Sequence, residues 1–395
     1  MITDADMARA LTPLLSGAPP KAAARLHALN GGVHCTTLPS GVRLWIISRH
    51  HDVKALLADP RLALNKAASH DSYQGFGLPP ALDANLLNLD GADHSRLRRL
   101  VASAFTNRRI DALRDSIHTA ANSLLDALPN TGRTDLLTAY AAPLPVAVIC
   151  DLLGAPADQG TALRECTQIM LAPDTFGPED LAATLAQILR LLTELIAAKR
   201  AEPTDDLLSA MITARDGNDR LNEDELLSLA FLILFAGYEN SVHLITSATA
   251  RLLTNPARAA AIRAERSPHT PGMHDVIEDF LRWDQPLTTA IRRFTTEPVD
   301  IGETTIPAGD TVLLALAAAN HDPAAPAHVS FGHGPHYCLG APLARLEVRT
   351  ALWTLMHRLP DLALAVPAAD LTWKTDHRQH VLTALPVTYA HRSST

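Results

Sequence analysis

Cys338 is the residue of this 395-residue chain best surrounded for chemistry. It lies in residues 331–345, FGHGPHYCLGAPLAR, with Gly332 and Gly334 ahead of it and Gly340 behind it. Glycine permits backbone turns closed to other residues and lets a chain approach a flat ligand closely. Pro342 falls at the first turn of an expected helix. A thiolate just before a helix N-terminus receives free backbone N–H groups and the positive end of the dipole, and both favour its charged form. Such a loop can offer an anionic sulfur to a metal. For an isolated cysteine the usual reading is a buried small hydrophobe in a turn. The F-x-x-G-x-x-x-C-x-G spacing turns the choice toward a ligand. Cys35, Cys150 and Cys166 have no such setting, and no C-x-x-C pair points to zinc or an iron–sulfur cluster.

This loop resembles the haem-binding loop of the cytochrome P450 family at every defining position, and the likeness extends over nearly the whole chain. The resemblance implies haem b (iron protoporphyrin IX), contacted by Phe331, Gly332, His336, Cys338 and Gly340, with Cys338 as the iron ligand. Residues 89–110, LDGADHSRLRRLVASAFTNRRI, look like the family's helix over the haem edge. There His94 and Arg98 match contacts to the haem propionates, and their i, i+4 spacing puts them on one helix face. Arg293, in IRRFTTEP, and His336 match two further propionate contacts. Residues 141–156 and 306–323 resemble family scaffold, as do residues 373–387, whose turn usually touches substrate. By the same analogy the pocket draws on residues 69–86, 170–176, 287–291 and 378–381, the first of which brings His70, Tyr73, Gln74 and Phe76.

On the long apolar run FAGYENSVHLI, residues 235–245, Ala236 and Gly237 match the family's groove for dioxygen and Glu239 its acid. Asn240 stands where the family usually has Thr, whose hydroxyl holds a proton-delivering water. An amide can hydrogen-bond but relays protons poorly. Ser241 sits one position round the helix. Two readings stay open: Asn240 holds the same water and nothing changes, or the product is not a simple hydroxylation. Family members without this Thr include enzymes that couple aromatic rings.

Two further departures concern the support of the cysteine loop. The family's Glu-x-x-Arg ion pair is here Asp279 to Arg282, one methylene shorter, and is expected to persist. Glu278 is not expected to take over, because adjacent helix positions point about 100° apart. The stretch between Asn320-His321-Asp322-Pro323 and Phe331 is short, and AAPAHVS supplies no substitute for the arginine the family's longer meander brings. The proximal surface is therefore expected to differ.

The elements that must position these residues are mostly helical. Ala and Leu dominate while aromatics are 4% of the chain, which favours helix over sheet. Amphipathic patterns mark helices at 52–57, 96–105, 109–128, 142–153, 180–199, 226–253, 275–283 and 342–357. Strand patterns fall at 42–47, 299–306 and 311–316, with a turn at 307–309, and a further pair near 381–387. The fold expected is mainly α: a cytochrome P450 fold, one large helical domain over residues 1–395 with small peripheral β-sheets. A net charge of −8 gives no reason for a nucleic-acid partner. The N-terminus lacks signal-peptide features, and the most apolar run, residues 226–237, is short of the ~20 residues that span a bilayer. A cytoplasmic protein without a membrane partner is expected.

The resemblance implies an O2- and electron-dependent oxidase tailoring a secondary metabolite or aromatic peptide, free or carrier-bound, by C–H hydroxylation or oxidative cross-linking. No flavin or iron–sulfur motif is present, so electrons from NAD(P)H would arrive through a ferredoxin and ferredoxin reductase. Arg345 and Arg349 would face that acidic donor. A degenerate binding protein is the rival from another class, supported by Asp279 and the short connection. A peroxide-driven variant is a third, against which Glu239 stands.

Overall fold

The computed structural model describes residues 4–38, 41–69, 82, 85–171, 178–216 and 220–390. Its axis is a central helix, Glu223–Leu253. Asn222 starts this helix by accepting the Glu225 N–H (2.8 Å), while the Glu225 carboxylate accepts the Asn222 N–H (2.9 Å). This reciprocal cap satisfies two donors that the first turn would orphan. Three acidic residues in that turn also suit the positive end of the dipole. The helix is longer than its apolar run suggested. It and Glu179–Ala201 are long and apolar enough to cross a membrane by length and composition. In the central helix 56% of the most apolar window is buried inside the protein, against 33% in the other.

Around the central helix pack Pro143–Leu153, Pro178–Ala201 and Ala341–Arg358. Pro143 opens the first of these and Gly154, at φ 67°, ends it in the left-handed region. The largest hydrophobic cluster gathers side chains from Leu82 to Tyr389. Two smaller clusters lie on either side of the main sheet.

That sheet has the order β1-β2-β8-β5-β3, formed by β1 (Val33–Thr37), β2 (Arg43–Ile47), β3 (Leu62–Ala63), β5 (Arg293–Thr295) and β8 (Thr311–Leu314). Only the β2–β8 pair is parallel. A three-stranded sheet joins β4 (Thr131–Asp135), β12 (Pro386–Ala390) and β9 (Ala363–Leu364). The hairpins β6–β7 (Val299–Ile301, Thr304–Ile306) and β10–β11 (Trp373–Thr375, His380–Leu382) complete the set.

Several expectations need correction. Residues 299–306 are not one strand but a hairpin, because Gly302 (φ 58°) turns the chain tightly between Ile301 and Thr304. The strands near 381–387 do not pair with each other: β11 pairs with β10, and β12 with β4 and β9. The expected helix 109–128 is two, Asn107–Ala112 and Arg114–Asp126, broken where Leu113 turns into the core. Strand β8 stops at Leu314, and Leu316–Asn320 is a helical turn. Helices at Asp4–Leu15, Pro19–Ala28, Ala157–Leu171, Leu207–Asp216 and Pro256–Ala264 were not expected. The His94 helix, Gly91–Ala104, begins earlier than its apolar pattern, with Asp90 at the N-cap position but its carboxylate turned to other partners.

Candidate active site

Asp90 is where the site begins. Its Oδ2 accepts the backbone N–H groups of Leu64 and Asn65, both at 2.8 Å, and its Oδ1 lies 3.3 Å from His336 Nε2. Burial opposes its charge, but His336 and the two N–H groups outweigh that and hold the carboxyl below the usual range. The His336 ring lies 3.9 Å, centroid to centroid, from that of His94. His94 is buried, and its Nε2 has no hydrogen-bond partner among the described residues. Burial, with help from His336 and Arg98, pulls its pKa down to about 4, so the ring is neutral at pH 7.

Arg98, one helical turn on, donates to the Tyr337 carbonyl at 2.6 Å. Arg293, at the start of β5, is buried and donates to Leu62 O at 3.3 Å, while its Nε has no partner among the described residues. Burial pulls its pKa down to about 10, which leaves it cationic. Three chain-distant segments thus bring His94, Arg98, Arg293 and His336 together. Buried nitrogen donors without acceptors are costly unless an acceptor joins them.

The cysteine loop closes on this group. Gly332 and Gly334 both adopt φ 73°, the left-handed region. A Cβ on Gly334 would lie 2.8 Å from Ala58 Cα, so only glycine fits that approach. The Cys338 N–H donates to Phe331 O (2.9 Å), and Gly340 caps the helix Ala341–Arg358. Cys338 is exposed as a residue, while the protein around it desolvates its sulfur. Burial pushes the thiol up. The N–H groups of Gly340 and Ala341, with Arg98 and Arg345, pull the other way. The expected help from the helix start is therefore present but outweighed by desolvation.

On the central helix Leu232, Ala236, Asn240 and His243, spaced by four, four and three residues, are all partly or fully accessible. Glu239 is largely desolvated, which raises its pKa, and its carboxylate lies 4.0 Å from Arg378 in the β10–β11 turn. Gly237 serves helix packing: a Cβ there would come within 2.5 Å of Ile149 Cδ1. Ser241 points away from that face and hydrogen-bonds Glu347, on the helix that follows the cysteine. Glu347 is buried, its Oε1 has no partner among the described residues, and burial pushes its pKa up to about 8. His70, Tyr73, Gln74 and Phe76, and residues 172–176, lie outside the described residues.

The support of the loop differs from expectation. Asp279 does not pair with Arg282; it faces Arg258. Arg282 donates instead to Asn320 O (3.3 Å) and Ala325 O (3.0 Å) and lies over the Trp283 ring. Adjacent helix positions do point apart, and the rotation that aims Asp279 at Arg258 aims Glu278 at the cysteine loop. Glu278, against expectation, takes Arg345 in a two-pronged contact (2.5 and 3.0 Å) and His328 at 3.0 Å. So AAPAHVS does provide a donor where the family's arginine is missing. Arg345 is committed to that acid rather than free for a docking protein, and Arg349 is partly buried.

A family model described as Cytochrome P450 matches residues 181–325. Cytochrome P450 107B1 of Saccharopolyspora erythraea is 39% identical over 369 residues, covering 88% of this chain and 90% of that protein. The chain belongs to the cytochrome P450 family. The P450 monooxygenase PikC of Streptomyces venezuelae is 38% identical over 380 residues, covering 92% of this chain and 89% of its own. The ligand-free structure of the P450 monooxygenase TamI superposes with a TM-score of 0.83 at 40% identity, over 95% of this chain and 92% of that one.

As a P450 the protein is an oxidoreductase. The family carries haem and draws electrons from NAD(P)H, which bacterial members generally receive through a ferredoxin and reductase. The residues of this P450 fit such a group: a cysteine sulfur just before a helix start, two buried cationic or imidazole nitrogens lacking acceptors among the described residues, and Arg98 near them. Sequence reasoning missed Asp90, Glu278, His328 and Glu347. Asp90 had a local signal as a capping acid before a helix. Glu347 stood out only as an acid in the apolar run LARLEVRTAL.

Proposed function

We propose that this P450 is a haem-thiolate monooxygenase, one domain over residues 1–395, that oxidatively tailors a small secondary metabolite. Haem b held through Cys338 supplies the redox centre at which dioxygen is activated with two external electrons. His94, Arg98, Arg293 and His336 hold the propionates, and Asp90 keeps His336 oriented. Phe331, Gly332 and Gly340 shape the loop that backs the sulfur. Ala236 leaves room on the open face of the central helix. Glu239 holds and moves protons on that face, Asn240 hydrogen-bonds there without relaying them, and Ser241 with Glu347 forms a second polar contact behind it. Gly237 contributes by setting how closely the central helix rests on Ile149.

One observation supports the reading: the Cys338 loop brings His336 against His94 and Tyr337 against Arg98, where the buried His94 Nε2 and Arg293 Nε have no partner among the described residues. Oxygen insertion is favoured over aromatic coupling by the monooxygenase names of PikC and TamI. The degenerate-binder reading loses its support, because Glu278, His328 and Arg345 refill the cluster that Asp279 leaves. A ferredoxin is the proposed donor, and the cytoplasm the proposed setting.

The decisive test is optical. Purified protein reduced under carbon monoxide should show the red-shifted band of thiolate ligation, and Cys338→Ser should lose it. Haem-free protein, or a band unchanged by the substitution, would falsify the reading. Asn240→Thr followed by product analysis addresses the reaction type. More oxygen insertion at the expense of coupling is expected only if Asn240 alters the proton path.

A further inference from the structure

We propose that Glu278, held between Arg345 and His328, is the residue that positions the cysteine loop of this chain, in place of the Asp279–Arg282 pair. The inference rests on Cys338 being the haem ligand.

Arg345 grips the loop at two points ahead of Cys338. Its guanidinium lies 4.6 Å over the Phe331 ring, and Phe331 O is the acceptor of the Cys338 N–H. Its Nη1 reaches the hydroxyl of Tyr337, the residue before the cysteine, at 3.4 Å. The two-pronged Glu278 contact fixes the guanidinium in that plane.

His328 secures the other end. The Ser330 N–H donates to His328 Nδ1 at 3.2 Å, so Nδ1 carries no proton and Nε2 must. That neutral tautomer donates from Nε2 to Glu278. A histidine thus does by tautomer what an arginine would do by charge. The same short stretch is fastened three times more: Ser330 Oγ donates to Leu281 O (2.6 Å) and accepts from Asn320 Nδ2 (2.8 Å), and Asn320 Oδ1 accepts the Val329 N–H (2.8 Å). Arg282, freed from any acid, ties Asn320 O and Ala325 O. The shortened connection is therefore stitched to the helix Pro271–Trp283, and Glu278 is the point where that stitching meets the cysteine loop. With three donors on one half-buried carboxylate, its charge is held at a pKa of about 2, against the cost of burial.

The experiment uses haem-loaded protein and reads the share of haem showing the thiolate band under carbon monoxide, together with its decay on warming. Glu278→Gln and His328→Ala should each lower that share or speed its decay by roughly threefold or more, since a half-buried donor set is left unpaired. His328→Arg should restore wild-type behaviour, and Asp279→Asn should leave the band unchanged. If Glu278→Gln does not fold, the His328→Ala loss and its recovery in His328→Arg decide alone. The proposal is overturned if His328→Ala behaves as wild type, or if Asp279→Asn loses the band as readily as Glu278→Gln. A wild-type protein without the band would instead defeat the proposed function.

Discussion

Glu347 is the acid whose environment departs furthest from water, and its protonation has a measurable sign. Its only described side-chain partner is Ser241, and burial moves its pKa from 4.5 to about 8. Between those values the folded protein holds a proton that the unfolded chain has released. Stability therefore falls as pH rises through that window, by at most ~1.4 kcal/mol per pH unit. Glu347→Gln keeps the shape and removes the titration. Its thermal midpoint should fall less steeply from pH 5 to 8 than that of the wild type, since Asp284, its pKa raised to about 7, still titrates in both, and parallel curves would contradict the assignment. His94 and Arg293 make a second case at this scale. Replacing His94 by Phe removes a buried nitrogen lacking an acceptor in the protein, so stability without haem should hold or rise. Haem retention in dialysis should fall about tenfold, the equivalent of one ~1.4 kcal/mol contact.

Among elements, the crossing of the central helix with Pro143–Leu153 depends on one missing methyl group. Gly237→Ala would gain ~1 kcal/mol of helix propensity but drive its Cβ into Ile149 Cδ1. Overpacking of that kind costs ~1–3 kcal/mol, so a net loss is expected. Ile149→Val removes the offending carbon. In denaturant melts the double variant should be more stable than the two single losses add up to, and additivity would show that the helices do not meet there. This crossing also shows where sequence reading succeeded and failed. That Cys338, His94, Arg98, Arg293 and His336 lie near one another was legible because a dense local motif or a shared helix face pointed to them, while the roles given to them remain proposals. The central helix was legible from its apolar length. Glu278 was not, because which of two neighbouring acids faces the loop depends on how the helix Pro271–Trp283 is rolled against its neighbours. That angle is set by Arg258 and Arg345, both distant in sequence. Gly237 was matched to a ligand groove, whereas its placement opposite Ile149 is a property of packing. The β6–β7 hairpin escaped notice because Gly302 was given too little weight in a run of strand-forming residues.

At the scale of the whole molecule, distant parts of the chain are fastened together by small elements. Strand β12 pairs with β4 on one side and β9 on the other, and buries Val387 and Tyr389 in the largest hydrophobic cluster. Ending the chain at Leu385 should therefore cost ~3–6 kcal/mol, from two large side chains returned to water at ~1.5–3 kcal/mol each. Thermal unfolding followed by circular dichroism would register this as a lowered midpoint, and an unchanged midpoint would mean the strand is ornamental. The cysteine loop is set among distant segments too: Gly334 sits on Ala58, His336 reaches Asp90, and Arg293 comes to the same place from β5. On a ribosome the first helices of this polypeptide emerge long before the last members of that cluster. Nascent chains paused before residue 338 hold His94, Arg98, Arg293 and His336 without the Cys338 that completes the cluster. Any capture of a cofactor through that sulfur would therefore wait until the last quarter of the chain, and its loop, had left the ribosome.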